Sequence, residues 1–269
     1  MPETAWRKRM TDNGGPELIS VILPAYNCER TIENTVKSVL GQTYGNIEII
    51  IVEDASQDGT AEKCRELAGQ DKRIRLFNNL SNMGSLKTRL KAVGMAGGEW
   101  IAFIDSDDLW QPLKLERQLR LRDETGCDIV YTASAFIDGE GNSFDWILHV
   151  PEKVGYRRLL KQNIISNSSV LVRKKDFLKY SPAEEPENGM HEDFACWLSM
   201  LRDGFTARGI DEPLITYRVS RRSTSGNKRK ASVMNMNTYK CIGLGFFERW
   251  FYQACYAVNG LKKYRHLKR

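Results

Sequence analysis

Apolar and polar positions in the first hundred residues come in blocks. Ile19-Ser-Val-Ile-Leu23 is a nearly continuous apolar run halted by Pro24, the pattern of a strand covered on both faces. From Thr31 to Leu40 the apolar residues Ile32, Val36, Val39 and Leu40 recur at helical spacing, and Gln42-Thr-Tyr-Gly45 supplies a closing turn. Ile47–Val52 repeats the strand pattern and runs into the polar stretch Glu53–Gly59. Thr60–Leu67 then reads as helix, Ile74–Phe77 as strand, Ser85–Ala96 as helix and Trp100–Ile104 as strand. This strand-helix alternation predicts an α/β fold, a mainly parallel sheet flanked by helices and joined by right-handed crossovers. Ligands of such sheets lie outside the carboxyl ends of the strands. Asp54 and the run Asp105-Ser106-Asp107-Asp108 each follow a strand directly, so both belong on the ligand edge.

Beyond Asp108 the alternation loosens. Leu113–Arg122 reads as a basic helix, Asp128–Ile137 as an alternating strand, and Asp138-Gly-Glu-Gly141 as a hairpin turn. Tyr156–Lys161 and Phe194–Leu201 look helical, while Ser169–Val172 and Leu214–Val219 look like strands. The second half is expected to be mixed and to complete a cleft over the sheet edge.

Composition narrows the class. With 269 residues, 41% apolar and 28% charged, the chain fits a globular protein rather than a disordered, fibrous or membrane-spanning one. The net charge of +6 hides a split: Arg218–Arg269 carries thirteen Lys and Arg against Glu248 alone, and the rest carries 27 basic against 33 acidic residues. Such a basic segment suits nucleic acid, an anionic membrane surface or a phosphorylated substrate. Six scattered cysteines without a CxxC pair read as reduced structural thiols, hence a cytoplasmic protein. No secretory signal is visible in Met1–Glu17, and no apolar run is long enough to span a membrane.

Three carboxylates within four residues at a strand end are costly to bury together without a counter-ion. Asp105-x-Asp107-Asp108 therefore reads either as a solvated acidic turn or as a site for a hard cation such as Mg2+ or Mn2+, shared with phosphate oxygens. Ser56 and Asp58 are placed to cap the helix near Thr60, which leaves Asp54 free to accept from a ligand N–H. Asn82-Met83-Gly84 before a basic helix containing Arg89 is either ordinary loop and surface charge or a diphosphate-recognition element.

Pro24-Ala-Tyr26-Asn27, then Val52-Glu-Asp54-Ala-Ser-Gln-Asp-Gly-Thr60, Asn82-x-Gly84 with Arg89, and Phe103-Ile-Asp105-Ser-Asp107-Asp108 together resemble the family 2 glycosyltransferases of GT-A fold. The likeness continues through His191-Glu192-Asp193-Phe194 and Glu212-Pro213-Leu214 to Tyr217-Arg218, and it leans toward bacterial enzymes of capsule, teichuronic acid and O-antigen synthesis. It implies that Pro24, Tyr26 and Asp54 surround the uracil of a UDP-sugar and that Arg89 lies near the nucleotide. It further implies that Asp105 contacts ribose or sugar, Asp107 binds Mn2+ or Mg2+, and Asp193 is the general base. The implied reaction inverts the anomeric centre of a hexose or N-acetylhexosamine passed to a polyprenyl-diphosphate-linked oligosaccharide. One departure is Thr88-Arg89-Leu90, where the family usually has Ala-Arg-Asn.

This gives an expected division into a disordered extension (1–17), a nucleotide-sugar half (18–110), an acceptor and catalytic half (111–220) and a basic loop with amphipathic C-terminal helices (221–269). Arg221–Lys230 reads as a loop that either closes over the diphosphate or is simply mobile. Phe246, Phe247, Trp250, Phe251, Tyr252 and Tyr256 followed by a basic end suit a helix at the inner face of the cytoplasmic membrane. They equally suit aromatics packed on the domain. A nucleotidyltransferase would also use carboxylate-bound Mg2+, but no GxxxxGK[ST] loop supports one. A nucleic-acid-binding protein leaves the strand-end carboxylates unexplained, so no nucleic-acid partner is expected.

Overall fold

A computed structural model describes residues 16–219 and 228–264. The first half alternates β1 (Ile19–Ala25), α1 (Ile32–Leu40), β2 (Ile47–Glu53), α2 (Thr60–Gln70), β3 (Ile74–Asn78), α3 (Ser85–Met95) and β4 (Trp100–Phe103). β1 pairs in parallel with β2 on one side and β4 on the other, and β2 pairs in parallel with β3. Successive residues of a strand face opposite sides. Val21, Leu23, Ile49 and Ile51 thus join Ile32, Val36 and Cys64 of α1 and α2 in one core. Ile22, Ile50 and Val52 join Ala92 and Val93 of α3 in the other. Two covered faces explain the unbroken apolar runs.

The second half adds β5 (Leu109–Trp110), α4 (Lys114–Thr125), β6 (Ile129–Ile137), β7 (Ser143–Leu148), β8 (Lys153–Val154) and α5 (Tyr156–Leu159). A 3-10 turn at Asn167–Ser169 leads to β9 (Leu171–Arg173), α6 (Lys174–Tyr180), α7 (Glu192–Arg202) and β10 (Ala207–Arg218), and then to α8 (Lys228–Cys241) and α9 (Phe246–Tyr264). The ten strands described form one sheet, β3-β2-β1-β4-β9-β6-β10-β5, with β7 on β6 and β8 on β10. β9 runs antiparallel between β4 and β6, whereas β6 and β10 are parallel, so the sheet is mixed as expected. The turn at Asp138 is built by its own carboxylate, which accepts from the N–H groups of Glu140 and Asn142 at 2.9 Å.

Several expectations are corrected. β6 does not alternate between core and solvent: eight of its nine residues are buried, Thr132 and Ser134 among them, because α4 and the α7 layer cover it on both sides. α4 is the expected basic helix, but Lys114, Gln118 and Arg122 on it are all buried. Lys114 Nζ donates to Gln118 Oε1 at 2.8 Å and lies 3.8 Å from the centre of the Trp110 ring. Gln118 Nε2 in turn donates to the carbonyls of Val130 and Ser169.

At the N-terminus, Pro16 and Glu17 are held rather than loose: Pro16 O accepts from Asn46 Nδ2 at 2.7 Å, and Glu17 pairs with Arg122. The expected disorder of residues 1–15 lies outside the described residues. So do 220–227, most of the expected basic loop, and 265–269; Lys228–Lys230 are already the first turn of α8.

α8 is part of the body, with its Tyr239 and the following Ile242 in the same core as α7 and Tyr239 OH donating to Leu160 O at 2.6 Å. α9 covers α8 with Tyr252 and Tyr256 and leaves Phe247, Trp250, Phe251 and Val258 exposed. Among the described residues no helix is long and apolar enough to cross a membrane.

Candidate active site

Because β1, β2 and β4 are neighbours, the loops that follow them meet at one edge. Pro24 and Tyr26 close β1, Asp54 closes β2, and Asp105 and Asp107 follow β4. The first two loops are knitted together: Asn27 N donates to Ser56 Oγ at 3.0 Å, Gln57 N to Asn27 Oδ1 at 2.9 Å and Gly59 N to Glu29 Oε2 at 2.7 Å. Asn27 (φ 48°) and Ala55 (φ 56°) both adopt left-handed backbone. Asn tolerates that conformation, whereas Ala does so at a cost. Strain at paired loops on a strand edge is a mark of a functional site. Asp58, not Ser56, meets α2, accepting from Thr60 N at 3.0 Å; Ser56 serves the neighbouring loop instead.

Asp54 is buried and is not free. Its Oδ1 accepts from Asn79 Nδ2 (2.7 Å) and Met83 N (2.8 Å), and its Oδ2 accepts from Gly84 N (3.0 Å). The carboxylate thus shapes the Asn82-Met83-Gly84 loop and keeps one lone pair of Oδ2 for a further donor. Thr88, where the family usually has Ala, is buried and accepts from the same Asn79 amide at 3.0 Å. Leu90, at the position of the missing Asn, packs against the core.

The three carboxylates after β4 have different surroundings. Asp108 is fully buried; its Oδ2 accepts from Ser168 Oγ at 2.6 Å and its Oδ1 from Arg218 N at 3.0 Å. Burial, then the charges of Asp105 and Asp107, hold its proton affinity well above the usual range. Asp107 is pushed up to about 6 by burial and by Asp105, while Arg218 pulls the other way. Ser168 also accepts from Asp105 N at 3.0 Å, and Arg218 Nε donates to Asp107 O at 3.1 Å. Among the described residues no three His, Cys, Asp or Glu side chains group to hold a metal alone. The local surplus of negative charge nevertheless suits a divalent cation bound by Asp107 and completed by phosphate oxygens.

Arg89 joins this edge to α7. Its guanidinium is buried, with one arm on Glu192 Oε1 and the other 3.3 Å from Asp105 Oδ1; Ser85 Oγ also donates to Glu192 Oε1 at 2.9 Å. Burial raises the proton affinity of Glu192, but Arg89 outweighs it and the net shift is downward, so Glu192 stays ionised. Asp193, one residue on, is pushed up to about 7 by burial and by the Glu192 charge, against the pull of Arg89. Two adjacent carboxylates thus have opposite proton affinities, the arrangement that separates an ionised partner from a base working near neutrality. Sequence reading singled out Asp193, but no local motif marks Ser168, and nothing in sequence tied Glu192 to Arg89 across 103 positions.

Residues 20–184 match the family described as Glycosyl transferase family 2. The Bacillus subtilis protein TuaG, assigned to teichuronic acid biosynthesis as a glycosyltransferase, is 37% identical over 91% of this chain and 97% of its own length. WfaP of Escherichia coli, a UDP-Glc:alpha-D-GlcNAc-diphosphoundecaprenol beta-1,3-glucosyltransferase, is 34% identical over 92% of this chain and 96% of its own. Among solved structures, Staphylococcus aureus TarS with UDP superposes with a TM-score of 0.65 at 20% identity, over 91% of this chain and 72% of that one. The mannosyltransferase PcManGT of Pyrobaculum calidifontis, with GDP-Man and Mn2+, gives 0.64 at 16% identity over 93% and 76%. The mixed sheet, the strand-end carboxylates and a family match running from β1 past α6 agree: this chain belongs to glycosyl transferase family 2 and is a glycosyltransferase of GT-A fold.

Proposed function

We propose that the enzyme transfers a hexose or N-acetylhexosamine, with inversion, from a UDP-sugar to a polyprenyl-diphosphate-linked glycan in bacterial surface polysaccharide synthesis. The observation that carries this reading is the pair at the start of α7, Glu192 ionised on Arg89 and the half-buried Asp193 with its proton affinity near neutrality. Support for donor and acceptor comes from WfaP, whose name pairs UDP-Glc with a diphosphoundecaprenol-linked sugar, and from the UDP held by TarS. Residues 18–110 would hold the nucleotide and 111–220 the acceptor.

In this reading Pro24 and Tyr26 flank the uracil, and the spare lone pair of Asp54 Oδ2 accepts a base N–H. Asp105, fixed by Arg89 and Ser168, meets ribose or sugar. An Asp193 carboxylate oxygen takes the proton of the acceptor hydroxyl as that oxygen attacks the anomeric carbon. The bond from that carbon to the diphosphate breaks, and its electron pair leaves with UDP. A divalent cation at Asp107, Mn2+ or Mg2+, would neutralise the charge that grows on the diphosphate. Arg89 keeps Glu192 from competing as base.

The acceptor's lipid draws the enzyme to a membrane. The outer face of α9 presents Phe247 (86% exposed), Trp250 (57%) and Phe251 (59%), and the segment from Arg218 onward is strongly basic. Aromatic surface beside positive charge fits the anionic inner face of the cytoplasmic membrane.

The test is nucleotide release from UDP-, GDP- and dTDP-sugars with Mn2+, Mg2+ or chelator, with and without a lipid-linked acceptor. UDP release that needs both acceptor and cation is expected. Equal turnover of a GDP-sugar, or full turnover in chelator, would overturn the donor or the metal assignment respectively.

A further inference from the structure

We infer that α8 acts as a clamp that positions the catalytic base, with Thr238 as its positioning residue. The inference rests on the reading of Asp193 as base.

α7 opens with two acidic residues in its first turn, Glu192 and Asp193. The residue before it, His191, provides no side-chain cap, and Gly189 just upstream adopts φ +72°, a left-handed conformation that glycine takes at no steric cost. What holds this entry is α8. Thr238, fully buried, accepts at Oγ1 from His191 N at 3.0 Å and donates its own proton to Met234 O at 3.0 Å. One turn face thus supplies a fixed acceptor to an otherwise unpaired helix-entry N–H. Its neighbour Asn237 donates from Nδ2 to Gly189 O at 2.8 Å. The Met234 side chain lies over Gly189, within 3.5 Å of where a Cβ would stand. A fourth contact joins the His191 ring to the backbone of Ala231. Residues 231–238 of α8 therefore grip 189–191 at several points, and Asp193 follows two residues later.

Tyr239 continues the contact past the base, its ring 6.2 Å from that of Phe194. Position matters here because a base must sit within hydrogen-bond reach of the acceptor hydroxyl. A misplacement of about 1 Å costs on the order of a hundredfold in rate. Thr238 touches neither the strand-edge loops nor the carboxylates after β4 and reaches the donor side only through Glu192 and Arg89, so its effect falls more on the chemical step than on donor binding.

The experiment compares Thr238→Val, Thr238→Ser, Asn237→Ala and Asp193→Asn in the full chain, measuring kcat, donor KM, UDP affinity and melting temperature. Thr238→Val keeps the shape and removes the acceptor. Its kcat is expected to fall about tenfold or more, with donor KM and UDP affinity within about twofold. Thr238→Ser, which restores the hydroxyl, is expected to return kcat to within about threefold of the parent. Asn237→Ala removes a second grip without entering the core and should lower kcat in the same direction, about threefold. A Thr238→Val enzyme with parental kcat would overturn the clamp, as would Val and Ser variants that fall alike, or a loss of UDP affinity and melting temperature that parallels kcat. If Asp193→Asn transfers sugar at the parental rate, the base reading fails and the clamp with it. If Asp193→Asn is inactive while Thr238→Val turns over normally, the clamp alone fails.

Discussion

A carboxylate serves as base near neutrality only when its surroundings keep its proton affinity there, and that same shift works against folding at high pH. Asp193, at about 7, lies well above an unfolded Asp at about 3.9. Its contribution to stability is full below the unfolded value and is lost as pH rises through about 7. Asp193→Asn should therefore melt several degrees higher than the parent at pH 8, with the gap closing at pH 5. Its transfer rate should fall by about 10² to 10⁴ while UDP binding persists. In the parent, kcat should decline as pH drops through about 7, because the base is then protonated; a flat profile would assign another group. Asp107→Asn should abolish metal-dependent turnover, and near-parental activity in Mn2+ would remove Asp107 from the site. At this scale the sequence marked the candidate residues, because strand ends and spacing select them. Their partners stayed hidden: Asp54 looked free because Asn79, Met83 and Gly84, 25 to 30 positions away, approach it only once the chain folds.

Among the elements, one of the shortest bears much of the candidate site. The 3-10 turn at Asn167–Ser169 reaches both ends of the acidic run through one hydroxyl, Ser168 Oγ, which accepts from Asp105 N and donates to Asp108 Oδ2. Its carbonyl also takes the Trp110 indole N–H at 2.9 Å. Ser168→Ala leaves a buried N–H and a buried carboxyl each short of a partner, a loss of about 1–3 kcal/mol. The expected outcome in thermal unfolding is a melting temperature lowered by several degrees, with weaker cation-dependent UDP binding in titration. Unchanged UDP binding would leave the turn a purely structural role. The strands β1, β2 and β4 were legible because burial on both faces demands unbroken apolar runs. The same logic misread β6 and did not foresee the burial of α4, since the polar residues of both are buried with partners from elsewhere. Thr132 and Ser134 fall at the polar positions of an alternating strand, and Lys114 and Arg122 are among the residues that make α4 read as basic. Hydropathy records the side chain alone and not the Trp110 ring or the carbonyls that satisfy it.

For the molecule as a whole, the question is what covers α9. Its inner side is committed, with Tyr252 and Tyr256 against Tyr239 and Phe194 and Gln253 accepting from Asn235 at 2.7 Å. Its outer side carries Phe247, Trp250, Phe251, Ala254 and Val258, all exposed, and no charged residue interrupts the sequence between Arg249 and Lys262. Pairing this face with a second copy would bring together two segments that each carry thirteen cations and one anion, whereas an anionic lipid surface complements them. Each Lys or Arg near such a surface contributes about 1 kcal/mol, and each buried aromatic side chain about 1.5–3 kcal/mol. The double variant Phe247→Ser/Trp250→Ser should thus bind anionic vesicles at least about tenfold more weakly in sedimentation, with nucleotide release to a water-soluble acceptor unchanged. Both proteins should bind zwitterionic vesicles less well than anionic ones, and added salt should weaken the anionic binding. Equal vesicle binding by parent and variant would remove α9 from the membrane contact. A parent that elutes as a dimer and a variant that elutes as a monomer would assign the face to self-association instead.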